Sequence, residues 1–233
     1  MASITSKPLN DFWQGVFDTF PLWIGVAPFG IAYSLAAQTA GLNALEIQAM
    51  SLLVYAGAAQ FTAASLIGAE ADSLSIIITT LIINLRHLLF SASVAAALPK
   101  LAWWKKGGLA YLLTDETYAI TIKKVSEGRA GAGLIMGSGI SLFTCWQLST
   151  FTGLLLSNAI PDPNALGLQL VFPLSFIVML IPYLKNRPAW AAAVTSAVLA
   201  ITMRLVIPGN WYLLIAALGG CLVGGFLDKS PKE

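Results

Sequence analysis

The sequence predicts an all-α fold, a polytopic transmembrane helix bundle, and three observations carry that prediction. The 233 residues are 57% hydrophobic and only 10% charged, where a soluble domain carries about 25% charge; so few charges cannot keep a surface of this size wet. Several apolar runs reach the ~20 residues needed to cross a ~30 Å hydrocarbon core. The ~10-residue alternating segments of a transmembrane barrel do not occur.

About seven to eight apolar segments can be drawn, roughly 16–39, 46–68, 73–98, 108–123, 131–157, 165–184, 188–207 and 211–227. No soluble domain fits between them, so residues 1–233 read as one integral membrane domain. No internal sequence repeat is detectable, and a diverged inverted repeat would leave none. The N-terminus lacks the pattern of a cleavable signal peptide. Cys145 and Cys221 lie in apolar segments and read as packing residues rather than a disulfide framework. No basic run points to nucleic acid.

The first segment contains "PLWIGVAPFG", with Pro21, Gly25, Pro28 and Gly30. Proline removes a backbone donor and clashes with the preceding turn. The segment therefore reads either as a broken or re-entrant helix, around Pro28 and Gly30, or as a kinked span. The second carries "VYAGAAQF". Its small residues let another backbone approach closely, and Gln60, at membrane depth, must bond a neighbouring helix or a solute. Gln147 in the fifth segment is a similar case. "GLIMG" and "GCLVG" have the GxxxG spacing of close helix contacts.

The third segment is the most informative. Thr80, Asn84, His87 and Ser91 form one helical stripe, and Thr79, Arg86 and Ser93 a second, more than a quarter turn away. Two polar stripes imply a helix that is surrounded by protein or lines a cavity. An arginine at helix centre costs roughly 2.5–3.5 kcal/mol on insertion scales and needs a counter-charge or a ligand. The short fourth segment, "TDETYAI", supplies candidates in Asp115 and Glu116, which point about 100° apart on a helix. One can pair with Arg86 while the other faces a site; alternatively, an Arg–carboxylate pair merely locks two helices. His87 is the only histidine. Alone it makes no metal site; it either shuttles protons or packs.

Eleven of the thirteen Lys and Arg lie outside the apolar cores. If the first and fourth segments both dip in and return on one side, all eleven share a face, which the positive-inside rule makes cytoplasmic; eight plain spans divide them.

The strings "YAGAAQF", "NLRHLLFSAS" and "LTDETYAI", in this order, with "PLWIGVAPFGIAY" before them, resemble the AzlC-type branched-chain amino acid permease family, large subunit of the AzlC/AzlD-type exporter. The resemblance covers nearly the whole chain. It implies a bacterial inner-membrane exporter of branched-chain amino acids such as valine, working with a small hydrophobic AzlD-type membrane subunit; no cofactor is expected. It also implies a transport role for Tyr55, Gly57, Gln60, Asn84, Arg86, His87, Asp115 and Glu116.

Individual duties come from the substrate. A branched-chain amino acid is a zwitterion with an apolar tail, so it needs a partner for each charge and a dry pocket. Asp115 or Glu116 would take the ammonium. Arg86, or amides freed by a break at Pro28 and Gly30, would take the carboxylate. Gln60 and Asn84 would complete the polar cradle, and Phe61 or Tyr55 would wall the tail. The second carboxylate, with or without His87, would carry a coupling proton. The alternative is a channel or passive pore for small polar solutes. An enzyme is not expected, because His87 with Ser91 or Ser138 lacks the supporting groups of a nucleophilic site.

Overall fold

The computed structural model describes residues 8–98, 101–127, 131–158, 184–207 and 211–228, with isolated positions between 174 and 181. The segment at 165–184 therefore lies almost wholly outside the described residues. Those described are helical, without strand. Among the described residues, four helices are long and apolar enough to cross a membrane: Asn10–Thr39, Ser73–Ala96, Ala132–Ser157 and Arg187–Val206.

The first crossing comprises α1 (Pro8–Thr19), a 3-10 turn (Phe20–Leu22) with Pro21 near its start, and α2 (Trp23–Thr39). Of the two readings of this segment, the break at Pro28 and Gly30 is absent: α2 runs unbroken through both, as a single span would. Pro28 is exposed, and the 3-10 turn keeps right-handed helical dihedrals at both ends. Gly30 serves packing instead. A Cβ there would sit 2.6 Å from Ser149 Cβ on α8 (Ala132–Asn158).

The break occurs in the second segment. α3 (Ala44–Leu53) and α4 (Gly57–Gly68) are separate helices. Between them Tyr55 takes φ +43° and Ala56 is extended. The left-handed conformation costs a non-glycine residue roughly 1–2 kcal/mol, and it turns the chain back on itself. Gln60 on α4 bonds Ser51 on α3 at 3.1 Å, a contact that one continuous helix over nine residues forbids. A Cβ on Gly68 would lie 3.1 Å from that of Ala40, so the hairpin leaves on the side where it entered.

α5 (Ser73–Ala97) then runs to the N-terminal face, where α1 begins. From there α6 (Trp103–Tyr111) enters, breaks at Leu112–Thr114, and returns as α7 (Asp115–Ser126). Lys124 near the end of α7 bonds Asp18 of α1 at 2.9 Å, which fixes that return. α8 lies parallel to α1 and α2, with Gly137 against Phe12 and Gly153 against Ser34. α9 (Arg187–Val206) and α10 (Trp211–Leu227) form an antiparallel pair joined through Gly220 and Gly224.

Two units of one plan therefore face each other: short helix, three-residue break, short helix, long helix. The lengths are 10, 12 and 25 residues in the first unit and 9, 12 and 27 in the second. The hairpins enter from opposite faces, so the repeat is inverted. The core lies where α2, α4 and α8 meet, around Tyr33, Phe61, Leu142 and Trp146. α5 is not surrounded by protein: Leu81, Leu85, Leu88 and Leu89 are exposed, and only its inner side meets the cavity.

Candidate functional site

The two hairpin tips meet near the middle of α8. Tyr111, at the end of α6, donates from its hydroxyl to the Leu52 carbonyl of α3. The Tyr55 and Tyr111 rings lie 5.8 Å apart, and Tyr55 packs edge-on against Phe143 at 4.9 Å.

Between the tips lies a cavity of about 90 Å³, lined by Val26, Phe29, Tyr55, Ala56, Gly57, Ala58, Phe61, Arg86, His87, Thr114, Asp115, Glu116, Leu142 and Trp146. That holds several water molecules, or a small solute in their place. One wall is aromatic and aliphatic; the other carries the charges. Arg86 Nη1 bonds Asp115 Oδ2 at 2.8 Å, with the side chains 29% and 23% exposed, so the pair borders the cavity. The Thr114 hydroxyl donates to Glu116 Oε2 at 2.7 Å, and Thr114 and Thr117 cap α7 reciprocally.

The two helix starts at the cavity differ electrostatically. Each carries partial positive charge on its unsatisfied amides. At α7 that charge is met by the helix's own Asp115 and Glu116. At α4 the N-cap is Ala56, and no side chain caps the first amides.

The cavity gathers Tyr55, Gly57, Phe61, Arg86, His87, Asp115 and Glu116. It does not gather the other expected residues. Gln60 is fully buried behind the wall, accepting from Trp146 Nε1 at 3.0 Å and donating to Ser51, whose hydroxyl meets Thr150 at 2.9 Å. Its amide oxygen and nitrogen are thus spent on neighbouring helices, as are those of Gln147, which accepts from Gln48 and donates to the Ser51 carbonyl. Asn84 borders a neighbouring hollow with His87, Tyr55 and Tyr111. Pro28 and Gly30 are absent from the lining, although Val26 and Phe29 of the same helix are present. His87 faces its own backbone at Asn84 and the Phe90 ring. Trp146, Leu142, Val26 and Phe29 escaped the sequence reading, because apolar residues in apolar helices carry no mark of which face a cavity. Among the described residues no three His, Cys, Asp or Glu cluster as a cation site requires.

A family model described as AzlC protein matches residues 21–160. The chain belongs to the AzlC family. The matched stretch takes in the inverted repeat and stops before α9 and α10. Among its relatives, an uncharacterized membrane protein of Archaeoglobus fulgidus is 31% identical over 92% of this chain and 94% of its own. The inner membrane protein YgaZ of Escherichia coli is 26% identical over the whole of both chains. The branched-chain amino acid transport protein AzlC of Bacillus subtilis is 24% identical over 86% of this chain and 78% of its own. No solved structure matches. This AzlC-family chain is thus a membrane protein of a transport family, and its charged cavity lies within the matched region.

Proposed function

We propose that this AzlC-family protein exports branched-chain amino acids such as valine across the inner membrane, holding the zwitterion between the hairpin tips. The observation that carries this reading is the Arg86–Asp115 pair at 2.8 Å on one wall of a cavity whose other wall is Phe29, Phe61, Leu142 and Trp146. The charged wall matches an ammonium and a carboxylate, and the apolar wall matches an aliphatic tail. The name of the Bacillus subtilis relative supports the substrate class.

Asp115 takes the ammonium, and Arg86, with the uncapped amides of α4, takes the carboxylate. Glu116, tied to Thr114, is the proton-coupling carboxylate, with His87 beside it. Lys105, Lys106, Lys123 and Lys124 belong to the hairpin that opens on the N-terminal face, whereas Glu46, Glu70 and Asp72 flank the other hairpin. The positive-inside rule therefore makes the N-terminal face cytoplasmic. A small AzlD-type hydrophobic subunit would join the assembly.

The test is valine efflux from cells loaded with a valine dipeptide, comparing the parent with Asp115→Asn and Glu116→Gln. Efflux falls at least about tenfold in Asp115→Asn, and its pH dependence flattens in Glu116→Gln. Parental transport in both variants overturns the carboxylate scheme. A carrier also shows trans-stimulation by external valine, which a passive pore does not.

A further inference from the structure

The ion pair that joins α5 to α7 at the cavity has the same two charges as the substrate proposed above. We infer that the Arg86–Asp115 pair is a built-in stand-in for that substrate, which the substrate splits on binding, and that the site therefore accepts α-zwitterions and rejects acids or amines of the same carbon skeleton. The inference rests on the transport reading and specifies what that site selects.

The argument is one of charge replacement. Both partners border the cavity and both are partly exposed to it. The guanidinium has spare donors: Nη1 bonds Asp115, while Nε is buried without a partner. Glu116 is engaged by Thr114 and does not compete for Arg86. An entering α-amino acid gives Asp115 an ammonium and Arg86 a carboxylate, so each charge loses one partner and gains another. The net charge of the site is unchanged. An acid alone satisfies Arg86 and strands Asp115; an amine alone satisfies Asp115 and strands Arg86. An unpaired charge in a low-dielectric site is strongly unfavourable, so either analogue is refused unless it finds the pair already broken.

Neutralising one partner should redirect the preference. In Arg86→Gln, Asp115 is left waiting for a lone cation. In Asp115→Asn, Arg86 is left waiting for a lone anion. A residue that merely locks α5 to α7 would not redirect selectivity in opposite directions.

The test measures binding to the purified protein by calorimetry with valine, isovalerate (valine without its amine) and isobutylamine (valine without its carboxylate). The parent is expected to bind valine and to bind each analogue at least about 100-fold more weakly. Arg86→Gln is expected to gain on isobutylamine relative to valine, and Asp115→Asn on isovalerate. If the parent binds neither valine nor another amino acid, the transport reading itself fails. If it binds valine but takes either analogue within tenfold, or if selectivity is the same in both variants, the stand-in inference is overturned. Should a single variant not fold, the analogue series on the parent decides alone.

Discussion

The two re-entrant hairpins share a plan, yet they are held in opposite ways. The α3–α4 hairpin is stitched to its surroundings by neutral side-chain bonds: Tyr33 to the Ile47 carbonyl, Gln48 to Gln147, Ser51 to Thr150, and Gln60 to Trp146. The α6–α7 hairpin is held mainly by charge, with Arg86–Asp115 at its tip and Lys124–Asp18 at its base. The first hairpin is a frame, and its polar groups are consumed by one another. The second presents its ionisable groups, Asp115 and Glu116, to the cavity beside Arg86. A pseudo-symmetric scaffold has thus put neutral, mutually bonded side chains on one side of the cavity and charged ones on the other.

Substitutions at the two tips should sharpen that contrast. The largest effect on stability is expected at Gln60→Leu, which leaves Trp146 Nε1 and Ser51 short of a partner in a buried site. At about 1–3 kcal/mol for each stranded group, thermal unfolding of the detergent-purified protein should fall by several degrees. Asp115→Asn should unfold nearer the parent while losing transport. If Gln60→Leu is the more harmful to transport in correctly folded protein, the division between frame and chemistry is wrong.

Next come the tip tyrosines. Tyr111→Phe removes the bond that joins the two hairpins and should cost about 1 kcal/mol. Tyr55→Phe removes a buried hydroxyl that has no partner and should leave the unfolding temperature unchanged or slightly raised. Equal losses would contradict the placement of these groups.

The sequence showed the helical membrane class and most of the charged wall, because an arginine and two carboxylates at bilayer depth stand out against apolar surroundings. It left a break open in the first segment and gave no sign of the one in the second. Pro28 and Gly30 looked disruptive, but an exposed proline in a packed helix costs one hydrogen bond and no fold reversal. The break at Tyr55 depends on a left-handed tyrosine that small neighbours and Trp146 accommodate, and no proline marks it. Gln60 illustrates a second blind spot. A buried amide looks the same in sequence whether its partners are a ligand or other side chains. The inverted repeat lay below detection because "YAGAAQF" and "LTDETYA" share a helix–break–helix plan but almost no chemistry, and only the first break uses a left-handed residue.

The smallest expected effect lies at the start of α5. Asp72 accepts from the Ser75 hydroxyl at 2.6 Å and from its backbone N–H at 2.9 Å, and these bonds hold its carboxyl below the usual carboxylate range. Its folded-state pKa is depressed, so its contribution to stability is present above the ordinary carboxylate pKa of about 4. That contribution is lost as pH falls through the lower folded value. Asp72→Ala should therefore unfold earlier than the parent near neutral pH, and the gap should close in acid. A gap that widens in acid would contradict the sign.

The most direct test of the architecture is side-specific labelling of single cysteines at Asn43, Glu70, Ala102 and Glu127, in a background with Cys145 and Cys221 replaced by alanine, using a membrane-impermeant maleimide. Hairpins entering from opposite faces predict that Asn43→Cys and Glu70→Cys label in intact cells, while Ala102→Cys and Glu127→Cys label only after permeabilisation. If either pair divides across the membrane, that segment spans it, and the cavity between two opposed tips does not exist.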